Sequence, residues 1–427
     1  STSNETSTGT ELVQNGNFSE LGSDLVTNGD FSAAGINLVS NPNFTDTGSE
    51  LVTDGDFSSG ANWYEGTGCS ISGNQGVFTS APSGSGFTGD NLNAAICVIG
   101  KSYKVTYTID SITSGSVGLR HPFTGTYYDN TSSFPLDVTE YVVADNTSIY
   151  IQNSGTTTAT ISNVSVKELG EDWTVTEDTG SVTFANDQVQ IISDGSAATG
   201  IIQGSILSIE KSYKVTIDVA SNTNKFKIIL GGGSIEVTGT GVQTFYGVGA
   251  GTALYIYRVV GEAVDVVINS ISVQELGEGW TAYTSGTSTV EYNSSGANLL
   301  IDSAANGGSN VGVYQENIFE LGKSYKIVLS MKATASFDAE VVESNLAATE
   351  NVIGTVSLTT SFQDFTFYYV GTGTFDLFIH RLYNGGGASQ TISIQSVSVQ
   401  ELDPNGYWTL GTGWSIGADK AISTVTG

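Results

Sequence analysis

The chain has 427 residues, 39% hydrophobic and 10% aromatic, too long for one ordinary domain and apolar enough to build cores, which excludes wholesale disorder. With 43 acidic against 14 basic residues the formal net charge is −29, and such a surface repels both phosphate backbones and anionic membranes. No run approaches the ~18–20 consecutive apolar residues of a membrane span, so neither nucleic-acid binding nor membrane insertion is expected.

Gly is abundant at 53 residues and Pro scarce at 5, with Ser, Thr and Asn filling much of the remainder. Thr, Val, Ile, Tyr and Phe favour pleated strands, while Gly, Asn, Asp and Ser supply turns. The predicted class is all-β. Residues 1–10 read as a flexible N-terminus. The opening STSNETSTGTE has neither the basic nor the apolar region of a secretory leader, so the reading expects either a leader already removed or a chain that never used that route.

A 13-residue repeat follows: ELVQNGNFSELGS from Glu11, DLVTNGDFSAAGI from Asp24, NLVSNPNFTDTGS from Asn37 and ELVTDGDFSSGAN from Glu50. Each copy is a short apolar strand, an Asn/Asp-Gly or Asn-Pro turn, and an aromatic anchor. The first three copies, 11–49, form a segment of their own. Its expected anchors are Leu12, Val13, Phe18, Leu25, Val26, Phe31, Leu38, Val39 and Phe44.

A longer repeat takes over from the fourth copy. KSYK recurs at Lys101–Lys104, Lys211–Lys214 and Lys323–Lys326, each time followed by an alternating strand. A closing element, ISNVSVKELGE, INSISVQELGE or IQSVSVQELDP, ends near Leu169, Leu276 and Leu402, and Trp173, Trp280 and Trp408 open the next unit, with Trp63 in that role for the first. These anchors predict β-sandwich modules at 50–171, 172–279 and 280–405 and a partial fourth repeat at 406–427. Period-2 alternation between Gly/Asn/Ser turns is the pattern of a two-sheet sandwich. Module 1 carries its own LVTDGDFSS lead-in, whereas three later units lack one and three spare copies stand at 11–49. The counts match. One reading is that the spare copies add to the modules as strands, in the same chain or between chains. A second is a tether that docks on a repetitive scaffold through avidity, and a third is duplication with no separate role.

The pattern LVTDGDFSSGANW, KSYKV and SNVSVKEL resembles a carbohydrate-binding-module-like jelly roll, and its tandem arrangement resembles structural and fibre proteins of tailed, notably marine, bacteriophages. The resemblance covers roughly residues 50–405, plus the 13-residue copies before it. It implies a virion structural protein, a capsid decoration or fibre component at the virion surface, whose partners are other copies of itself, other virion proteins and host surface glycans. The alternative is an extracellular bacterial or archaeal adhesin or filament subunit assembled by strand addition. In glycan-binding relatives of this fold a structural calcium ion is often held near the first and last strands. Here Asp54 and Asp56 could supply oxygen ligands, in module 1 only; no other cofactor is implied.

No catalytic constellation is legible. His121 and His380 sit at non-equivalent places, and nucleophile-elbow, HExxH, Walker and Cys-pair metal spacings are absent. No enzyme is expected. A glycan platform needs an exposed aromatic, for which Tyr127, Tyr128, Tyr246 and Tyr369 are candidates; packing in cores and at edges is the competing role, since adjacent aromatics on a strand point to opposite faces. Cys69 and Cys97 fall in one module and are either a disulfide or two buried free thiols.

Overall fold

In a computed structural model the structure describes residues 13–89, 95–120, 126–302, 311–346, 350–382 and 389–423, and among these every regular element is a β-strand. The chain is all-β, as its composition predicts, and folds into successive antiparallel sandwiches with separate apolar cores.

The two later modules share one topology. In module 2 one sheet runs Ser181–Ala185, Gln188–Ser193, Val264–Leu276, Ser212–Asn222, Gly241–Val248, and the facing sheet runs Thr174–Glu177, Thr199–Gln203, Leu254–Arg258, Phe226–Leu230, Gly233–Val237. Module 3 repeats both orders with Thr289–Asn293, Gly296–Ile301, Gln390–Leu402, Ser324–Ala333, Gln363–Val370 and with Thr281–Tyr283, Gly312–Phe319, Phe375–Arg381, Phe337–Ser344, Glu350–Leu358. Module 1 keeps the order but joins its sheets through two long strands, Ser102–Leu119 and Ile149–Leu169, which pass from one sheet into the other. Alternation along each strand places one side chain in two in the core.

The KSYK motif now has a physical content. Its tyrosine is buried, and Tyr103, Tyr213 and Tyr325 each accept, at the phenolic oxygen, a backbone N–H from the preceding loop: Val98, Ser208 and Glu320 at 2.7, 2.7 and 2.8 Å. Its first lysine pairs with the glutamate of the closing strand: Lys101 with Glu168, Lys211 with Glu275 and Lys323 with Glu401, at 2.5, 2.9 and 3.2 Å. These pairs are partly exposed and contribute little. Its serine reaches the next unit. Ser102, Ser212 and Ser324 accept, at Oγ, the backbone N–H of Phe184, Tyr292 and Ile416, so each module meets its successor through the same buried contact.

Residues 414–423 form a hairpin, Trp414–Gly417 with Lys420–Ser423. Through Ile416 it docks on module 3 in the place that Ser181–Ser193 takes on module 1 and Thr289–Ile301 on module 2.

Each closing strand outruns the hairpin strand beside it. Val264–Leu276 pairs with Gln188–Ser193 only up to Ile268, and Gln390–Leu402 pairs with Gly296–Ile301 only up to Ile394. The remaining edge is covered from far away: Ala34–Asn37 lies along module 2's closing strand, Leu21–Asp24 along module 3's and Thr47–Glu50 along module 1's. The N-terminal copies thus run as a strap along the modules in reverse order. An uncovered strand edge is a ready template for unwanted pairing, and the strap removes three of them.

The strap also completes the cores. Phe31, Phe44 and Phe57 are at most 1% exposed and belong to the cores of modules 3, 2 and 1 respectively. Truncating a buried phenylalanine costs about 3–5 kcal/mol. Phe44→Ala is therefore expected to lower the stability of module 2 by that amount. Calorimetry of the full chain would show an earlier melting step with the module 1 step unmoved, and an unchanged melt would refute the assignment.

Candidate strap sockets and ligand face

Every described copy of the short repeat makes the same local fold. The chain turns tightly so that the phenylalanine N–H donates to the carbonyl three residues back: Phe18 to Asn15, Phe31 to Asn28 and Phe57 to Asp54 at 3.0 Å, and Phe44 to Asn41 at 3.3 Å. All four phenylalanines have φ between 55° and 57°, left-handed backbone that a bulky L-residue adopts only under constraint. The constraint is a tryptophan. Phe18 packs on Trp408, Phe31 on Trp280, Phe44 on Trp173 and Phe57 on Trp63, with ring centroids 4.9, 4.9, 5.6 and 4.7 Å apart. Each indole N–H donates to the carbonyl of Asn15, Asn28, Asn41 or Asp54, at 3.0, 2.9, 3.3 and 2.8 Å in that order. One aromatic contact and one hydrogen bond therefore hold the turn to the module.

The strand half of each copy is equally regular. Leu25, Leu38 and Leu51 donate their N–H to Val399, Val273 and Val166 of the closing strands. The residue before each leucine bridges the two chains: Asp24, Asn37 and Glu50 accept both the N–H of the strap valine two residues on and that of the same closing-strand valine. Val26, Val39 and Val52 point inward and are buried, while Leu25 is 37% exposed and Leu38 is half-buried at the rim. Of the expected anchors, Phe31, Phe44, Val26 and Val39 enter cores and Phe18 is half-buried on Trp408; Val13 is 48% exposed, and Leu12 lies outside the described residues.

The asparagine at the turn does a second job. In copies 1 to 3 its Oδ1 accepts the N–H five residues on, from Glu20, Ala33 and Asp46, and its Nδ2 donates across the junction to Asp403 Oδ1, the Glu278 carbonyl or the Glu171 carbonyl. In copy 4 the chain runs straight into its own module, and Asp54 stands there instead. Its carboxylate accepts the N–H groups of Ser59 and Gly60 at 3.0 and 2.6 Å and the hydroxyl of Ser58 at 3.2 Å. Burial raises the Asp54 pKa, but the bonds from Ser59, Gly60 and Ser58 outweigh it and hold the group below its ordinary value. Asp56 accepts the Ser58 N–H. Both Asp54 oxygens are thus engaged by the loop itself, and among the described residues no three His, Cys, Asp or Glu side chains group to hold a metal ion.

The two cysteines are free thiols and not a disulfide. Cys69 lies near Glu65 on a strand that pairs through Phe78, and Cys97 is buried beside Tyr103 and Glu168 at the opposite, closing end of the module. Burial and the neighbouring carboxylates raise the Cys69 pKa to about 11 and the Cys97 pKa to about 12.

A second surface recurs on the outer face of the smaller sheet. In module 1 its central row is Tyr64, Thr88, Tyr150 and Arg120, with the guanidinium 5.7 Å from the Tyr150 ring. The next row holds Gln152, whose Nε2 donates to the Gly84 carbonyl at 2.7 Å and whose Oε1 accepts from the Tyr127 hydroxyl at 3.4 Å. The hollow here is about 310 Å³. Register places Tyr255 and Tyr257 of module 2, and Phe378 and His380 of module 3, where module 1 has Tyr150 and Gln152. A glycine faces the second of each pair: Gly86, Gly200 and Gly312, where an added Cβ would stand 2.1, 2.1 and 2.5 Å from a backbone oxygen of the neighbouring strand. In module 3 the His380 ring stacks on Phe378 at 4.6 Å and lies 3.8 Å from Glu340 and 3.5 Å from Glu350. The surfaces differ in lining, so three modules do not present three copies of one site.

The glycan candidates from sequence separate accordingly. Tyr127 is 38% exposed and belongs to this face. Tyr128 packs against the module 1 core, and Tyr369 is half-buried with its hydroxyl donating to the fully buried Glu343, so neither is an open platform. Tyr246 is 37% exposed but pairs opposite Lys214 on the larger sheet, away from this face. Sequence reasoning missed Tyr64, Tyr150, Tyr255 and Tyr257. Their signal was the position each holds one step out of phase with the buried residues of its strand, as in LYIYR and IYIQN. His380 holds the equivalent place in module 3 but is buried together with Phe378, and His121 lies outside the described residues.

Two outcomes are expected. In the native chain a thiol reagent should modify neither cysteine at neutral pH and both after unfolding, with an intact mass that carries two free thiols; a mass two hydrogens lighter would contradict this. Asp54, with its lowered pKa, contributes stability above the ordinary carboxylate range that is lost as pH falls through the lowered value. Asp54→Asn should therefore flatten the acid limb of a melting-temperature profile, and an identical limb would refute the role.

No family model matches the chain, and no curated protein matches it. Solved structures do. A CBM4 carbohydrate-binding module is 18% identical over 29% of this chain and 95% of its own length, with a TM-score of 0.25. The N-terminal cellulose-binding domain of Cellulomonas fimi β-1,4-glucanase C is 16% identical over 29% of this chain and 89% of its own, again at 0.25. A CBM29-2 mutant complexed with mannohexaose is 18% identical over 30% and 84%, at 0.24. The likeness concerns the fold: part of this chain, about 30% of it, is structurally similar to carbohydrate-binding modules.

Proposed function

We propose that this chain is a non-catalytic display protein, a row of β-sandwich modules stapled by its own N-terminal strap. The carrying observation is that one strap supplies Phe57, Phe44 and Phe31 in turn to the cores of modules 1, 2 and 3. A segment that crosses every junction while it completes every core couples the modules mechanically, as a projecting structure requires. The aromatic outer face of module 1 is then the contact surface, and stacking of sugar rings on Tyr64 and Tyr150, with Arg120 and Gln152 beside them, is the weak glycan contact it suits. Within this class we place the chain on a virion, as a capsid decoration or fibre component. The support is the resemblance of its tandem modules to phage structural proteins and a net charge of −29 that resists non-specific association. The second reading, an extracellular adhesin or filament subunit, uses the same stapled row.

Small-angle scattering of the full chain should give an elongated, rigid particle. Binding to a soluble oligosaccharide panel should weaken in Tyr64→Ala and Tyr150→Ala and persist in Tyr246→Ala. A compact or articulated particle would defeat the stapled row, and equal binding by all three variants would defeat the ligand face. Mass spectrometry of purified particles against cell-surface fractions separates virion from adhesin.

A further inference from the structure

Modules 2 and 3 each carry a device for receiving the strap that module 1 lacks. Gln203 accepts the Ser40 N–H at 3.1 Å and donates to the Ser40 carbonyl at 2.6 Å. Gln315 does the same for Thr27, at 3.0 and 2.5 Å. Both glutamines are buried, 2% and 5% exposed. Their counterpart in module 1, where copy 4 arrives by direct connection, is Gly89 against Trp63.

The turn residues differ in ways these sockets can distinguish. The asparagine Nδ2 of copies 2 and 3 donates to the carbonyl of Glu278 or Glu171, whereas Asp54 of copy 4 has no donor and would set a carboxylate against that carbonyl. At the next position copies 2 and 4 have Gly29 and Gly55, where a Cβ would stand 2.2 Å from the Val397 oxygen and 1.9 Å from the Val164 oxygen. Copy 3 has Pro42 there, accommodated in module 2 with its carbonyl accepting the Ile271 N–H at 2.9 Å.

We propose that each module is an addressed receptor for an extended Leu-Val-x-Asn-Gly-x-Phe strand, with the turn pair as address: Asp-Gly for module 1, Asn-Pro for module 2, Asn-Gly for module 3. Copy 1 carries the module 3 address in Asn15, Gly16 and Phe18. It is also the least enclosed copy in its own chain, with Val13 48% exposed and Phe18 half-buried. The partner this fits is a second copy of the chain, whose residues 11–23 enter module 3. The inference deepens the stapled-row reading by naming its partner, and its failure leaves the intramolecular strap in place.

The test titrates labelled peptides 11–23, 24–36, 37–49 and 50–62 into the full chain carrying Phe31→Ala, read by anisotropy, with Val26→Ala as the milder variant should the first unfold module 3. Peptides 11–23 and 24–36 should bind one per chain and at least ~10-fold more tightly than the other two, the order of one buried hydrogen bond gained or lost. Pro42→Gly in peptide 37–49 should restore binding, and Asn28→Asp in 24–36 should remove it by a similar factor. The wild-type chain should bind none of them, because its own strap competes at an effective concentration of about a millimolar. Equal binding by all four peptides, or none by a folded Val26→Ala chain, would overturn the address. Sedimentation of the Phe31→Ala chain, whose own strap is loosened, should show a dimer at high concentration that a second substitution, Phe18→Ala, abolishes; a monomer in both would overturn the second-copy partner.

Discussion

A closing strand longer than the hairpin strand beside it leaves main-chain donors and acceptors open at the sheet edge, and the layout of this chain answers that one shortfall. The strap satisfies the edge with its Leu-Val half and buries an aromatic with its Phe half, so a single short segment provides both hydrogen bonding and apolar burial. The phenylalanine sits in left-handed backbone, at a cost of roughly 1–2 kcal/mol, and it is the tryptophan contact together with the indole hydrogen bond that offsets this.

Junctions between modules follow the same economy of parts. The KSYK element fixes its own loop through the tyrosine hydroxyl, its own closing strand through the first lysine, and the next module through the serine oxygen. Three consecutive residues therefore serve local fold, module closure and inter-module register at once. Identical contacts at successive junctions make the arrangement head-to-tail, a heterologous interface repeated from one module to the next.

Much of this was legible in the sequence, and the reasons are particular. The 13-residue copies and the KSYK and EL anchors stood out because each residue is held by a contact that every module repeats. The match between spare copies and modules lacking a lead-in was also countable. What could not be read was the addressing, since a bond such as Trp408 to Asn15 spans 393 residues and leaves no periodic trace. A carboxylate in a turn has two common uses, cation ligand and acceptor for loop N–H groups, and the second is the one the Ser59 and Gly60 N–H groups make of Asp54. The outer-face tyrosines were passed over because an aromatic on an alternating strand is usually core, and phase had to be counted from the buried neighbours. That Cys69 and Cys97 share one module likewise said nothing of their being at its opposite ends.

The reversed order of strap and modules bears on how the chain is made. Synthesis delivers the strap first and the modules afterwards, at about 5–20 residues per second. Copy 4 finds Trp63 at once, copy 3 finds Trp173 when module 1 is complete, and copies 2 and 1 wait for Trp280 and Trp408. Last in is first matched, so each pairing closes a loop whose interior has already folded and is short in space. A strap in parallel order would have held its first copy against module 1 while later copies trailed over a growing span, whereas the nested order lets the molecule zip shut in step with the ribosome.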